Sequence, residues 1–344
     1  MGFWYVIAGI LGLGLLMVVH EAGHHFVARA FGMRVVRFSI GFGPALLRHR
    51  PKDSPTTYQI ALIPFLAYVQ IAGMNPFEEV DPDDRGSYAN ASLFARAATI
   101  FAGPLANYLF ASVLFFGAFA IGGDQVPTTR VDVLPGGPAA QAQLQNGDKV
   151  VAIDGRPIAT FEAMRLAILA SPEKALRFQV ERGGATLELP VTPRRKAGGE
   201  GGEILVSPQL DQVPLPLGEV TQRALVAPAE VVRALAVFFG RLVTGKERPD
   251  LRGPIGIVEE TSKAARMGVD SYLAFLGLLS AYLGGFNLIP FPALDGGRLL
   301  FLGYEAVTRR RPNPSFEVIS TVAGLVALFA VLAVASWFDA VRPR

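Results

Sequence analysis

The run His20-Glu21-Ala22-Gly23-His24 is the part of the chain whose residue types and spacing best suit chemistry. Residues four apart on a helix share a face, so His20 and His24 can bind one Zn²⁺ at roughly 2.0–2.1 Å. A zinc ion there would acidify a water molecule and polarise a carbonyl, and Glu21 would move the water's proton to the leaving amine. The spacing predicts a zinc peptidase centre, with a coincidental match as the alternative. His25 points off the ligand face and is predicted not to bind metal.

Asp295 is the candidate for a third metal ligand. Catalytic zinc sites usually have three protein ligands, and a chain without cysteine must supply them from His, Asp or Glu. Asp295 directly follows the uncharged stretch Ser271 to Leu294, in which Pro290 and Pro292 are expected to break a helix. Such a break would free backbone groups and could present an extended edge to a peptide. A purely structural kink is the alternative reading of the prolines.

Four uncharged stretches indicate a multi-pass membrane protein. The residues are 51% hydrophobic and only 18% charged, unlike a typical soluble enzyme. Each stretch is long enough to cross the hydrocarbon core, which predicts four transmembrane helices. Burying two histidines and a glutamate at the end of an apolar span is costly, so their presence there favours function over coincidence. The stretches are Met1 to His20, Ala97 to Gly123, Ser271 to Leu294 and Val318 to Phe338.

The distribution of Lys and Arg predicts the orientation. Basic residues cluster after the first span and again at 309–311, between the third and fourth, so both loops are expected in the cytoplasm. Both termini and the region 122–270 would then be extracytoplasmic. The first stretch has no basic start and no small-residue cleavage site before His20, so we expect a retained span and not a secretory signal. With a net charge of only +3, the basic residues favour a lipid bilayer as partner and exclude nucleic acid.

Segments outside the spans have their own patterns. The run Tyr58 to Gln70 is apolar and β-prone but contains Pro64, which predicts a β-hairpin dipping into the membrane over about 56–74. A buried strand pair of a small cytoplasmic domain is the alternative. Apolar residues recur at helical spacing from Leu217 to Val243 with charges between them, which favours an interfacial amphipathic helix over a fifth span.

A small strand-rich domain is expected outside the membrane. Short alternating runs separated by Gly and Pro turns predict strands at 131–133, 149–153, 176–180 and 185–191, with a helix over Phe161 to Ala170. The segment Arg194 to Gly202 resembles a flexible loop. The expected division is a first span over 1–31, a cytoplasmic loop over 32–92, a second span over 93–123, the β-rich domain over 124–195, a linker with the interfacial helix over 196–270, a broken third span over 271–308 and a fourth span over 315–338.

The second span contains small residues and one amide. Gly103 and Ala106 suit close helix packing, and Asn107 in an apolar span needs a polar partner or a place in the active-site cavity.

Taken together, these motifs resemble the site-2 protease family, and most of all the bacterial regulator-of-sigma-E proteases. The likeness also covers Phe38 to Pro44, Tyr58 to Val69 and Arg252 to Ile257. It implies that His20, His24 and Asp295 hold zinc and that Glu21 is the catalytic base. It further implies a substrate-binding surface, for which the candidates are Tyr68, Asn107, Asn287, Pro290 and Pro292.

The resemblance also implies substrates and a place of action. Family members cleave transmembrane segments of single-pass proteins, such as anti-sigma factors or remnant signal peptides, in the bacterial cytoplasmic (inner) membrane. The strand-rich domain resembles a PDZ module through Val133 to Ala140 and Gln145 to Asp148, and such modules bind peptide C-termini. Two departures are visible: the chain has room for one PDZ module where relatives often have two, and Leu66-Ala67 precede Tyr68 in place of Gly-Gly.

Two other functions fit parts of the pattern. A non-catalytic membrane scaffold with a PDZ domain would keep the architecture, but the intact Glu21 and the complete ligand set argue against it. A soluble zinc peptidase domain tethered by one span would place its H-E-x-x-H helix in water. The uncharged run directly before His20 argues against that reading.

Overall fold

A computed structural model describes residues 2–196, 201–245 and 253–341. Met1, residues 197–200 of the predicted flexible loop and Arg252 of the Arg252 to Ile257 run lie outside these ranges. The chain divides into two compact units: residues 122–215 form one, and the residues before and after them form the other.

The elements follow one another in a simple order. They are α1 (Gly2–Ala30), β1 (Val35–His49), β2 (Thr57–Ile71), a 3-10 turn (Tyr88–Asn90), α2 (Leu93–Gly122), β3 (Asp124–Val133), α3 (Pro138–Gln141), β4 (Asp148–Ile153), β5 (Arg156–Pro157), α4 (Phe161–Leu169), β6 (Leu176–Arg182), β7 (Ala185–Val191), β8 (Arg194–Arg195), β9 (Gly202–Glu203), β10 (Val206–Val213), α5 (Leu217–Val243), α6 (Pro254–Met267), α7 (Val269–Asn287), α8 (Asp295–Thr308) and α9 (Pro314–Val341).

Four helices in the described ranges are long and apolar enough to cross a membrane. They correspond to the four predicted spans, so the prediction of a multi-pass helical membrane protein is confirmed. The first helix continues well beyond His20, as far as Ala30. The H-E-x-x-H run therefore lies inside a helix, where the i, i+4 spacing can place both imidazoles on one face.

The third span is broken at the two prolines. Helix α7 ends at Asn287 and α8 begins at Asp295, with a non-helical segment between them. Gly297 lets this segment lie against the first turn of α8, because a Cβ there would be only 2.7 Å from Cα of Pro292. The chain can thus turn sharply and still place Asp295 at the start of a helix.

Strands β1 and β2 pair with each other in an unusually bent arrangement. Phe38 is in register with Val69 on one side and with Tyr58 on the other. Gly41, at φ +91°, permits the bend in β1. The pairing differs from the predicted hairpin within 56–74, because these residues form one continuous strand whose partner is the earlier β1.

Helices α5 and α6 complete the helical unit. Helix α5 matches the predicted amphipathic helix, and it packs on α7, where Val232 and Leu235 approach Gly285. Helix α6 lies in a region predicted as linker, and the Ser262 hydroxyl bonds the Tyr5 carbonyl of α1 at 3.2 Å. Gly253 and Pro254 are residue types common in turns, yet Pro254 is the first residue of α6, where a proline is preorganised for a helix.

Residues 122–215 form an antiparallel sheet of strand order β10-β3-β4-β6-β7, with β5 beside β4. The predicted strands and the helix α4 are all present, and the Thr160 hydroxyl caps α4 by accepting from the amide of Ala163. The unit extends beyond 195, the predicted end of the domain, because β10 pairs with β3. This pairing is non-local in sequence, so the local pattern does not reveal it.

Candidate metal centre and catalytic cavity

Three side chains converge in the helical unit. The Nε2 atoms of His20 and His24 lie 3.2 Å apart, and Oδ2 of Asp295 lies 3.1 Å from the first and 3.3 Å from the second. Both histidines are buried, at 6% and 8% exposure. The triad is brought together because α1 presents both imidazoles on one face and the broken span delivers the carboxylate to them.

The spacing of these atoms fits a tetrahedral metal ion. Ligands bound at about 2.0–2.1 Å in tetrahedral geometry are separated by roughly 3.3 Å, close to all three distances. The Oδ2 atom of Asp295 is buried and accepts no hydrogen bond. A buried carboxylate oxygen without a hydrogen-bond donor destabilises the fold, and a cation bound between this oxygen and the two Nε2 atoms would satisfy it. The three residues can therefore hold zinc.

Two residues of helix α2 contact the Nδ1 atoms of the imidazoles, on the side of each ring opposite the Nε2 atoms. Nδ1 of His24 lies 2.8 Å from the Thr99 carbonyl oxygen, so this nitrogen carries the proton and leaves the Nε2 lone pair for a metal. The fully buried Asn107 amide lies 3.3 Å from Nδ1 of His20. The structure places Nδ2 of the amide at this nitrogen and leaves Oδ1 without a partner, and the two amide atoms exchange places on a half-turn of the side chain. After that half-turn Oδ1 would accept the imidazole N–H of His20.

Two glycines permit this close approach of α1 and α2. A Cβ at Gly23 would come within 2.8 Å of the Ala106 methyl. A Cβ at Gly103 would lie 2.9 Å from Nε2 of His20 and would collide with the His24 ring as well. Gly103 thus makes room for the imidazoles of His20 and His24, a role more specific than the helix packing expected from its sequence.

Gly103→Ala is expected to weaken metal binding by roughly 10–100-fold, because the added methyl group displaces both imidazoles. Zinc affinity, measured by competition with a chromophoric chelator, checks this. The matched control is Gly303→Ala in α8, where a new Cβ meets nothing within 4 Å. Equal affinities for the two variants would show that the imidazoles do not depend on the glycine.

A cavity of about 270 Å³ opens in front of the triad. Its charged lining consists of Glu21, Asp295 and Arg298, besides the two histidines. Glu21, next to His20 on α1, is the only other carboxylate at this cavity among the described residues. The remaining lining residues are Met17, Tyr68, Val69, Ile71, Met74, Leu283, Asn287, Ala293 and Leu294.

The candidate substrate-binding residues occupy different positions. Asn287 lines the cavity, with its amide donating to the Leu283 carbonyl at 2.9 Å. Tyr68 also lines it, while its hydroxyl lies 3.3 Å from both Arg37 and Gln59. Pro290 and Pro292 are absent from the lining and act as the break that positions Ala293 and Leu294. Asn107 is absent from it too, because its amide faces His20.

Several site residues were not anticipated from the sequence. Thr99 contributes through its backbone carbonyl, which has no sequence signature. Arg298 and Met74 line the cavity, and only Arg298 had a signal, as a charge one helical turn after Asp295. His25 lies apart from the three side chains of the triad, and its Nε2 is 3.3 Å from the Tyr58 hydroxyl.

Comparison with known proteins decides the family. The model of Peptidase family M50 matches residues 8–331, nearly the whole chain. The chain belongs to Peptidase family M50. The match includes His20, Glu21, His24 and Asp295, so the centre described above lies within the region that defines the family. The expectation of a site-2 protease relationship is confirmed.

Individual relatives align with nearly the whole of this M50 chain. A putative zinc metalloprotease of Rhizobium meliloti is 32% identical over 352 residues, covering 95% of this chain and 94% of the relative. The regulator of sigma-E protease RseP of Salmonella typhimurium is 30% identical, with 98% of each chain covered. The probable protease eep of Enterococcus faecalis is 29% identical, over 98% and 99%. The last two alignments span 445 and 421 positions, so both relatives contain segments that this chain lacks.

Proposed function

We propose that this protein is an integral membrane zinc endopeptidase of the site-2 protease type, which cleaves transmembrane segments of single-pass membrane proteins. The convergence of His20, His24 and Asp295 at tetrahedral ligand spacing carries the proposal. The ligands belong to helices whose apolar composition suits a bilayer. Zinc is the metal that relatives matching nearly the whole chain are named for.

Each catalytic group has a defined task. When bound, zinc acidifies a water molecule and polarises the scissile carbonyl. Glu21 removes a proton from that water at its carboxylate and passes it to the leaving amine nitrogen. Thr99 and Asn107 hold the imidazole tautomers, and are positioning residues. The intact glutamate beside a complete ligand set favours a peptidase over the alternative of a non-catalytic membrane scaffold.

The cavity suits a substrate in extended form. Tyr68, Val69 and Ile71 of β2 border the cavity, and β1 pairs with this part of β2 through Val35 and Phe38. Peptide bonds in a transmembrane helix are sheltered by their own hydrogen bonds, so a substrate segment must unwind before hydrolysis. A strand edge and the broken span beside Asn287 offer hydrogen-bond partners to an unwound segment.

The sheet of β1 and β2 also carries features expected of a segment that enters the membrane. Large apolar side chains of the two strands are exposed, among them Phe42, Leu46, Leu47, Leu62 and Ile63. In water such a surface would be unfavourable, whereas lipid would stabilise it.

We assign the unit of residues 122–215 as a single PDZ-type module on the extracytoplasmic side, with both termini on that side of a bacterial inner membrane. The positive charges at 309–311 and after α1 support this orientation. The loop after β3 contains Gly136 at φ +77°, and Ala139 donates to the Ile204 carbonyl at 3.0 Å. A peptide C-terminus is the ligand that such a module takes. Anti-sigma factors and remnant signal peptides are the proposed substrate classes.

Cleavage of a reconstituted single-pass substrate tests this function. The purified full chain and a tagged substrate are placed in proteoliposomes with zinc, and mass spectrometry locates the cut bond. We expect the bond to lie within the apolar segment of the substrate. Helix-stabilising leucines introduced around that bond should slow cleavage, because the segment then resists unwinding. Cleavage confined to the water-exposed flanks would contradict an intramembrane peptidase.

A further inference from the structure

Among the described residues that line the catalytic cavity, Arg298 is the one arginine or lysine, and the proposed mechanism gives it no role. It lies one helical turn after Asp295 on α8, so both side chains emerge on the same side of that helix. Its guanidinium is exposed, and the contact it makes is with Sδ of Met74 at 3.6 Å. Within the described ranges it has no carboxylate at ion-pair distance. A guanidinium has five N–H donors, and those of Arg298 that are not directed at Met74 are available to a ligand.

The neighbouring arginines are already engaged. A second cavity, of about 380 Å³, adjoins the first and shares Met74 and Arg298 with it. There Arg96 forms a bidentate ion pair with Glu305 at 2.6 and 3.0 Å. Arg311 donates to the Ala89 carbonyl at 2.5 Å and lies 3.8 Å from Glu305. Among the described arginines of the two cavities, Arg298 is therefore the guanidinium with no carboxylate at ion-pair distance, and Glu317 of the second cavity interacts with it only over a longer distance.

The charge of the catalytic cavity also favours an anion. Glu21 and Asp295 each bring one negative charge, and Arg298 brings one positive charge. A bound divalent zinc ion would change the net charge of these groups from one negative to one positive charge. A neutral peptide bond leaves that net charge unchanged, whereas a product with one negative charge would bring it to zero.

Hydrolysis produces such an anion. The C–N bond of the peptide breaks, the water oxygen becomes bonded to the carbonyl carbon, and both of the water's protons pass to the leaving nitrogen, which becomes an ammonium group. The N-terminal fragment then ends in a carboxylate. Arginine binds carboxylates through two parallel N–H···O bonds, a geometry that neither the amide of the substrate nor the ammonium product can match.

We propose that Arg298 binds the α-carboxylate created by cleavage, forming a product subsite at the junction of the two cavities. The inference rests on the proposed peptidase function, and it adds to that function a binding site for the carboxylate of the product. It makes the N-terminal fragment the tighter-held product. Arg298 would thereby also determine how strongly that fragment inhibits the enzyme.

Paired peptides test the subsite. A fluorescent peptide ending at the mapped cleavage point is prepared as the free acid and as the C-terminal amide, and both are titrated with the zinc-loaded full chain in detergent. We expect the wild type to bind the acid at least tenfold more tightly, since hydrogen bonds between charged groups are the strong ones. Arg298→Gln should lower the acid-to-amide ratio about tenfold and leave amide affinity unchanged. Arg310→Gln, an exposed residue outside both cavities, should keep the wild-type ratio.

The comparison between variants separates Arg298 from the metal, because zinc itself prefers a carboxylate and is present in every sample. Arg298→Met, which keeps an apolar stem, is the second variant. An unchanged ratio in either zinc-bearing variant would overturn the subsite, and loss of zinc from both would assign Arg298 a structural role instead. If the wild type bound no zinc and cleaved nothing, the proposed function would fail, independently of the peptide ratios.

Discussion

Asp295→Ala is expected to weaken zinc binding more than 100-fold and to abolish measurable cleavage. The substitution removes the carboxylate ligand and leaves two protein ligands, one fewer than a catalytic zinc site usually has. Loss of a ligand should lower zinc affinity by more than the roughly 10–100-fold that follows when only a hydrogen-bond partner of a ligand is changed. Zinc per chain, measured by mass spectrometry of the dialysed protein, and cleavage of the reconstituted substrate are the two readouts.

The control for this substitution is Asp53→Ala, which removes an exposed carboxylate between β1 and β2. It should leave zinc content and cleavage at wild-type values. If the Asp295 variant kept one tightly held zinc ion per chain, the metal would have to be bound by other groups. The assignment of the triad would then be incorrect.

Glu21→Gln is expected to lower the cleavage rate by about 10²–10⁴-fold while zinc content stays at the wild-type value. The amide has nearly the shape of the carboxylate but cannot accept the water's proton. Because Glu21 lines the cavity without belonging to the triad, metal binding does not depend on it. This variant therefore separates proton transfer from metal binding, which Asp295→Ala does not.

Single-turnover cleavage with the substrate in proteoliposomes measures the effect of Glu21→Gln. Glu79→Gln, at an exposed position outside the cavity, is the matched control. Normal cleavage by a zinc-loaded Glu21 variant would show that another group moves the proton. Loss of zinc from it would instead place Glu21 among the ligands.

The convergence of His20, His24 and Asp295 was largely predictable, because each of the two motifs involved is local in sequence. Helical spacing brings His20 and His24 together, and two prolines followed by an isolated carboxylate identify Asp295. Both features concern neighbouring residues and the composition of the stretch around them. The convergence of the two motifs is then required by the coordination number of zinc.

Features that depend on distant pairing were not predictable in the same way. Asn107 was a candidate for the cavity, but whether its amide faces the cavity or His20 depends on how α1 and α2 pack. The partner of β2 was misassigned because strand pairing leaves no mark within one strand's own sequence. The part played by Thr99 is invisible in sequence, since any residue type has a carbonyl.

The limits of the β-rich unit also depend on pairing between residues that are distant in sequence. The strands of the β-rich unit were found from their alternation, yet β10 lay outside the predicted boundary because only its pairing with β3 includes it. Helix α6 was missed because Gly253 and Pro254 resemble a turn. For β10, contacts across the fold decide the structure, whereas for α6 the position of the proline within the helix decides it.

X-ray absorption at the zinc edge tests the central claim most directly. For the active, zinc-loaded protein in detergent, we expect a first shell with two imidazole nitrogens and a carboxylate oxygen at about 2.0–2.2 Å. The same measurement on Asp295→Ala should show no bound zinc after dialysis. A wild-type spectrum without two imidazoles, or an unchanged spectrum in the variant, would contradict a zinc centre built from His20, His24 and Asp295.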